Sequence, residues 1–221
     1  MTAQPASSPG WRTFLLLAAP GVLLGVVGAT HPSGLRPETA QHWFWMHVAG
    51  VLVFPLVGVA LAWLMRGRRD PLAIGIVLAA YVYATFYTAL DVISGIGNGY
   101  VTAELGDDAV PRPPAIWLAF RIGTRLGDIG AWALLAAAVL ITIDTLLRRG
   151  FSPGALAPCV VLLAGSFFLG PEHIFWPWGS LSCIAIGVGT GWLGVLTPPQ
   201  EPDPASGGPR QPPAGHAPRS T

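Results

Sequence analysis

Apolar residues fill six long blocks of this chain, separated by short polar or proline-rich breaks: 11–29, 43–65, 72–93, 116–147, 154–170 and 174–196. A helix needs about 20 predominantly apolar residues to cross a bilayer's hydrocarbon core, and each block comes close to or exceeds that length. The pattern predicts an all-α polytopic bundle of about six transmembrane helices. A Pro- and Gly-rich tail, 197–221, carries no apolar periodicity and is expected to be a disordered cytoplasmic segment.

Charge at the breaks sets the expected orientation. Arg66, Arg68 and Arg69 end the second block, Arg148 and Arg149 end the fourth, Arg12 precedes the first, and Arg210 and Arg219 follow the last. The opposite loops hold Arg36 and Arg112 among Glu38, Glu104, Asp107, Asp108 and Glu172. Eight arginines against two place both termini in the cytoplasm by the positive-inside rule. Phe14–Ala29 also has the length of a signal-peptide core, with small residues at Val27-Gly28-Ala29. A single preceding arginine and a slightly long apolar run favour a retained first helix.

Local residues predict the boundaries. Pro71 suits the first turn of the third helix, Gly95-Ile96-Gly97-Asn98-Gly99 should end it, and Pro111, Pro113 and Pro114 should hold the next loop extended. Pro20 and Pro55 fall inside helices, and Trp43, Trp45, Trp176 and Trp178 fall near the ends opposite the arginine clusters, where indoles settle at an interface.

Composition sharpens the class. The 221 residues are 52% hydrophobic and only 10% charged, where soluble domains average about 25% charged. No basic patch lies outside the helix ends, so no nucleic-acid partner is expected; the expected surroundings are a cell membrane crossed several times. A homo-oligomer or a membrane partner protein is compatible with the sequence. All twelve basic residues are arginine, which with abundant Ala, Gly and Pro suggests a GC-rich bacterial genome. Cys159 and Cys183 fall in apolar blocks at depths differing by roughly 10 Å, too far for a disulfide, and read as small buried hydrophobes.

Candidate chemistry collects opposite the arginine clusters. Asp91, Arg121, Arg125 and Asp128 lie within apolar blocks, where ionisable groups usually face a bundle interior or a wet cavity. Arg121, Thr124, Arg125 and Asp128 share one helical face, with Gly123, Gly127 and Gly130 on the other as a close-packing side. Asp91 extends a stripe of Tyr83, Tyr87 and Thr88; buried, it needs a partner, for which Arg121 or Arg125 stands at comparable depth. This polar cluster reads as a structural ion network, as a pocket for an anion or small solute, or, for Arg121, as an interfacial side chain reaching the headgroups.

The histidines admit a transition-metal or haem site built from His47 and His173, with His31 in the preceding loop and Asp91, Glu172 or Met46 nearby. His42 and His47 are five apart, about 140° around a helix, and cannot share an ion. No CxxC or HExxH cluster occurs, and Ser166, Ser180 and Ser182 lack a histidine at a defined spacing, so no catalytic residue is named and the reading leans away from an enzyme.

Three segments, His31-Pro32-Ser33-Gly34-Leu35, His42-Trp43-Phe44-Trp45-Met46-His47 and Glu172-His173-Ile174-Phe175-Trp176-Pro177, resemble segments of small bacterial integral membrane proteins with no established activity. The resemblance covers the membrane region without the tail, implies a six-helix bundle, and transfers no functional residue. The leading expectation is a non-enzymatic membrane protein with an outward-facing polar and histidine cluster, structural or accessory, or binding a small ligand. A metal- or haem-binding protein and a small solute or ion transporter are the alternatives.

Overall fold

The structure, a computed structural model, describes residues 10–197. Apart from Thr197, the tail lies outside the described residues. Among them the chain is entirely helical, and six helical spans are long and apolar enough to cross a membrane. The elements are α1 (Trp11–Gly28), α2 (Ala40–Trp63), α3 (Pro71–Leu90), α4 (Asn98–Leu105), α5 (Pro114–Arg149), α6 (Pro153–Glu172) and α7 (Trp178–Leu196), with a π-helical stretch, Asp91–Gly97, joining α3 to α4.

Helix starts follow from local chemistry. Pro71, Pro114 and Pro153 each open a helix, where the missing N–H costs no hydrogen bond. The Asp70 carboxylate accepts from Ala73 N at 3.1 Å and the Ser152 hydroxyl from Ala155 N at 3.3 Å, satisfying donors the first turn leaves free.

The third apolar block departs from expectation. Its glycine-rich end does not terminate the helix; the chain stays helical through the π stretch and on to Leu105. The glycines serve close packing instead. A Cβ on Gly95 would collide with the His47 ring, and one on Gly99 would press on Phe44 and Trp43 at 3.1 Å.

The helices form a closed ring in which α1 meets α2, α2 meets α3, α3 meets α5, α5 meets α6, α6 meets α7, and α7 returns to α1. Glycines make the last seam tight: a Cβ on Gly21 would lie 2.6 Å from the Cys183 carbonyl oxygen, and one on Gly187 2.5 Å from that of Ala18. Tyr83, Tyr87, Phe54, Leu61, Ile76, Leu134, Ile141 and Leu162 fill the interior. Cys159 and Cys183 are buried there as free thiols. Leu16, Leu52, Leu78, Trp132 and Val160, from five different helices, are each more than half exposed. An outer surface this apolar suits lipid and not water.

One end of the ring gathers Arg66, Arg68 and Arg148, the other the histidines. At the arginine end, Arg68 donates to both Asp144 oxygens, at 2.6 and 2.8 Å, and to both Asp70 oxygens, at 2.9 Å each. Arg148 Nε adds 2.9 Å to Asp144, four residues before it on α5. Arg68 and Asp144 are both nearly sealed from the surface. The Arg68 pair also holds the Asp70 carboxyl at about 2, helped by the Ala73 N–H.

Helix lengths divide the ring into a low half and a high half. α1, α6 and α7 have 18, 20 and 19 residues. α2 has 24, α5 has 36, and the continuous α3–α4 rod is longer than α2 by the same measure. At 1.5 Å per residue α5 reaches about 54 Å, well beyond a hydrocarbon core of about 30 Å. The long helices therefore rise past the short ones at the histidine end, and the candidate site sits on the resulting step.

Candidate metal centre

Each histidine of the cluster arrives from a different part of the ring. His31 lies in the turn that leaves α1, where its backbone N–H bonds the Gly28 carbonyl at 3.0 Å. His47 projects from the second turn of α2 into the notch that Gly95 opens in the π stretch. His173 caps the C-terminus of α6 with φ at 50°, a left-handed conformation that side chains other than glycine rarely take. Such a backbone costs of order 1–3 kcal/mol and collects at functional sites.

The rings converge. Centroids of His31 and His47 are 5.2 Å apart, of His31 and His173 6.0 Å, and of His47 and His173 6.5 Å. One ligand nitrogen from each lies within 4.8 Å of the others. Three nitrogens about 2.1 Å from a tetrahedral ion stand about 3.4 Å apart, so modest side-chain movement suffices to hold one.

Hydrogen bonding prepares the rings. His31 Nδ1 meets the Pro32 carbonyl at 2.8 Å and His47 Nδ1 meets the Trp43 carbonyl at 2.6 Å. A carbonyl oxygen only accepts, so in both rings Nδ1 carries the proton and Nε2 presents a bare lone pair. His173 Nδ1 and the Tyr87 hydroxyl are 2.8 Å apart, a bond that either group can donate; a metal on Nε2 would make Nδ1 the donor. Outer partners of this kind orient the imidazoles that bind metals. Burial pushes the His31 imidazole down to about 4, and desolvation holds His173 well below the ordinary histidine range, so both are neutral, the ligating form, at physiological pH.

Asp91 stands beside the cluster at the start of the π stretch. Its side chain is 0% exposed, its Oδ1 is 3.8 Å from His47 Nε2, and neither oxygen has a hydrogen-bond partner among the described residues. His31 Nε2 and Ser94 Oγ are buried and without partners too. A bare imidazole nitrogen thus faces a buried carboxyl group. Uncompensated, a buried charge costs several kcal/mol, so the pair must hold either a shared proton or a cation between them. A cavity of about 240 Å³ adjoins them, lined by His47, Asp91, Ser94, Phe120, His173 and Phe175 among others.

The remaining polar residues are distributed differently from the sequence expectation. The glycine side of α5 does face inward, with Gly123 against Ser94, Gly127 against Leu90 and Gly130 against Tyr87. That turns Arg121 and Arg125 outward, while Thr124 and Asp128, also exposed, stand at the rim of the cavity. Arg125 is 88% exposed and meets Asp128 at 4.0 Å, a surface pair of little energetic weight. Asp91 therefore faces His47, and the structure does not bring it together with Arg121 or Arg125. By helix rise Arg121 lies about 42 Å and Arg125 about 36 Å along α5 from Arg149, in the part that overtops the short helices.

His42 is exposed and bonds the Thr30 carbonyl at 3.0 Å, apart from His47 as its spacing requires. Trp45, Trp176 and Trp178 are exposed, whereas Trp43 turns inward, stacks on His47 at 5.1 Å and donates its indole N–H to the Ser94 carbonyl at 3.3 Å. Tyr87, legible only as part of an α3 stripe, proves to be the partner of His173.

Substitution at residue 173 separates backbone strain from ligation. His173→Gly should be more stable than His173→Ala by about 1–3 kcal/mol, because glycine accepts the left-handed backbone without strain. Thermal unfolding in detergent measures the difference; equal midpoints would show that the backbone stores no strain.

Comparison with protein-family models, with curated proteins and with solved structures gives no match to this chain.

Proposed function

We propose that this protein is a multi-pass membrane protein that binds a divalent first-row transition-metal ion through His31, His47 and His173, with Asp91 supplying negative charge. The observation that carries this reading is the meeting of three imidazoles with a buried carboxyl group that has no hydrogen-bond partner among the described residues. Imidazole with carboxylate suits Zn, Cu, Fe or Ni, and three protein ligands leave a coordination position for a small exogenous group. A haem fits less well: His31, 5.2 and 6.0 Å from the other two rings, occupies ground a porphyrin between His47 and His173 would need.

The same reading puts the histidine end on the outer side of a cell membrane. Arg12, Arg66, Arg68, Arg69, Arg148 and Arg149 gather at the other end, which the positive-inside rule assigns to the cytoplasm. A reporter fused after Arg69 that is active in the external compartment would reverse this orientation.

Elemental analysis of the protein purified in detergent, then titration of chelator-treated protein with Co²⁺ as a visible-absorbing substitute, tests the metal reading. One equivalent of metal and a ligand-field spectrum are expected, both lost in His47→Ala. The loss should exceed the 10–100-fold drop in affinity typical of changing an outer partner, for which Tyr87→Phe serves as the reference. Wild-type protein that takes up no ion would overturn it.

A further inference from the structure

The cavity beside the histidines does not end at them. It runs between α5 and α6 to Asp128, Gly170 and Pro171. The same three residues line a second cavity of about 380 Å³, whose other walls are Ala131, Trp132, Leu135, Ser166 and Phe167. The two spaces share these walls where α6 carries glycine, and a Cβ built on Gly170 finds only the Ala131 Cβ, at 3.6 Å.

The second space differs from the first in chemistry and position. Its walls are apolar except for Asp128 at the junction and Ser166. Ser166 is 1% exposed and its Oγ has no hydrogen-bond partner among the described residues. Ser166 lies 13 residues into α6 from Pro153, about 20 Å from the arginine end and so at hydrocarbon depth. Trp132 and Phe167, at its margin, are 70% and 58% exposed on the apolar outer surface. The groove thus faces the lipid sideways while its upper end reaches the histidines.

A purely polar solute has no use for the lower chamber, and a plain hydrocarbon has none for the upper. From this junction of cavities we infer that the site takes a lipid-soluble amphiphile, its oxygen-bearing head at the His31–His47–His173 centre and its apolar chain in the α5–α6 groove beside Ser166. The ligand enters from the bilayer. Gly170 and Ala131 set the width of the passage, and Asp128 stands where head and chain divide.

This inference rests on the metal reading, and one experiment separates their failures. The probes are two hydroxamates that present the same metal-binding head, acetohydroxamate and dodecanohydroxamate, added to Co²⁺-loaded protein in lipid nanodiscs. Perturbation of the Co²⁺ spectrum is followed against probe concentration, with the long probe expressed per lipid to correct for partitioning. Both should perturb the spectrum, the long one at least tenfold more tightly after that correction. Leu135→Trp, which fills the lower chamber and lines none of the upper one, should abolish the preference while leaving Co²⁺ uptake and the response to acetohydroxamate intact. Gly170→Ala, for which there is room, should keep the preference. Failure of wild-type protein to take up Co²⁺ overturns the metal reading and this inference with it. A normal Co²⁺ spectrum with no preference for the long probe, or a preference that survives in Leu135→Trp, overturns the amphiphile alone.

Discussion

Alanine in place of Arg68 should destabilise the bundle by about 3–5 kcal/mol, the range for stripping one partner from a buried ion pair. The guanidinium is almost sealed and holds both oxygens of Asp144, itself nearly sealed on α5. Removing it leaves Arg148, which reaches one of those oxygens and is half exposed. The remaining carboxylate must then draw in water or a proton. Arg68 also ties α5 to Asp70, the cap of α3, so the loss falls on the seam between those helices. Asp144→Asn on top of Arg68→Ala should recover much of the stability, because the double variant buries no unpaired charge. Thermal midpoints of the four proteins of this cycle in one detergent provide the check. A single variant as stable as wild type would mean the network contributes nothing.

The second large effect runs in opposite directions on the two states of one protein. Asp91→Asn should raise the thermal midpoint of the metal-free protein and weaken metal binding by about 10–100-fold, the range for changing groups that support a metal's ligands. Free of metal, the wild-type protein must either desolvate the Asp91 charge or take up a proton there, and an amide needs neither. With metal bound, the carboxylate balances part of the ion's charge where the effective dielectric constant is low, and the amide does not. Co²⁺ titration and thermal unfolding with and without chelator measure both. A variant less stable without metal, with unchanged affinity, would assign Asp91 to packing and remove it from the centre.

How far the chain discloses these features depends on whether a feature lies along one helix or between several. The six blocks were legible because a bilayer demands length and apolarity of each helix separately. The glycine face of α5 was legible too, since 100° per residue fixes which side chains share a side. What a single helix cannot reveal is which neighbour its other side meets. Asp91 stood out as a charge in an apolar run, yet the residue it faces is on α2, not α5. Arg125 is at a suitable depth but on the side of α5 that turns away. The glycines at 95–99 read as a stop signal because the conformational freedom of glycine is local, whereas the close approach of the His47 ring that they permit is not. Asp144 went unremarked in the run Ile141-Thr142-Ile143-Asp144-Thr145 although its spacing to Arg148 was a signal in the chain itself. The histidines illustrate both sides: spacing alone separates His42 from His47, and only the ring order brings His31 and His173 to it.

Helices of 18 to 20 residues extend about 27–30 Å, equal to an average hydrocarbon slab with nothing in reserve. On that flank the molecule has no spare turn with which to follow a thicker membrane, whereas on the other flank it has several. Thickening the lipid would tilt the protein toward its short flank or submerge the turn that carries His173. Acyl-chain length thereby becomes a dial on how much water reaches the imidazoles.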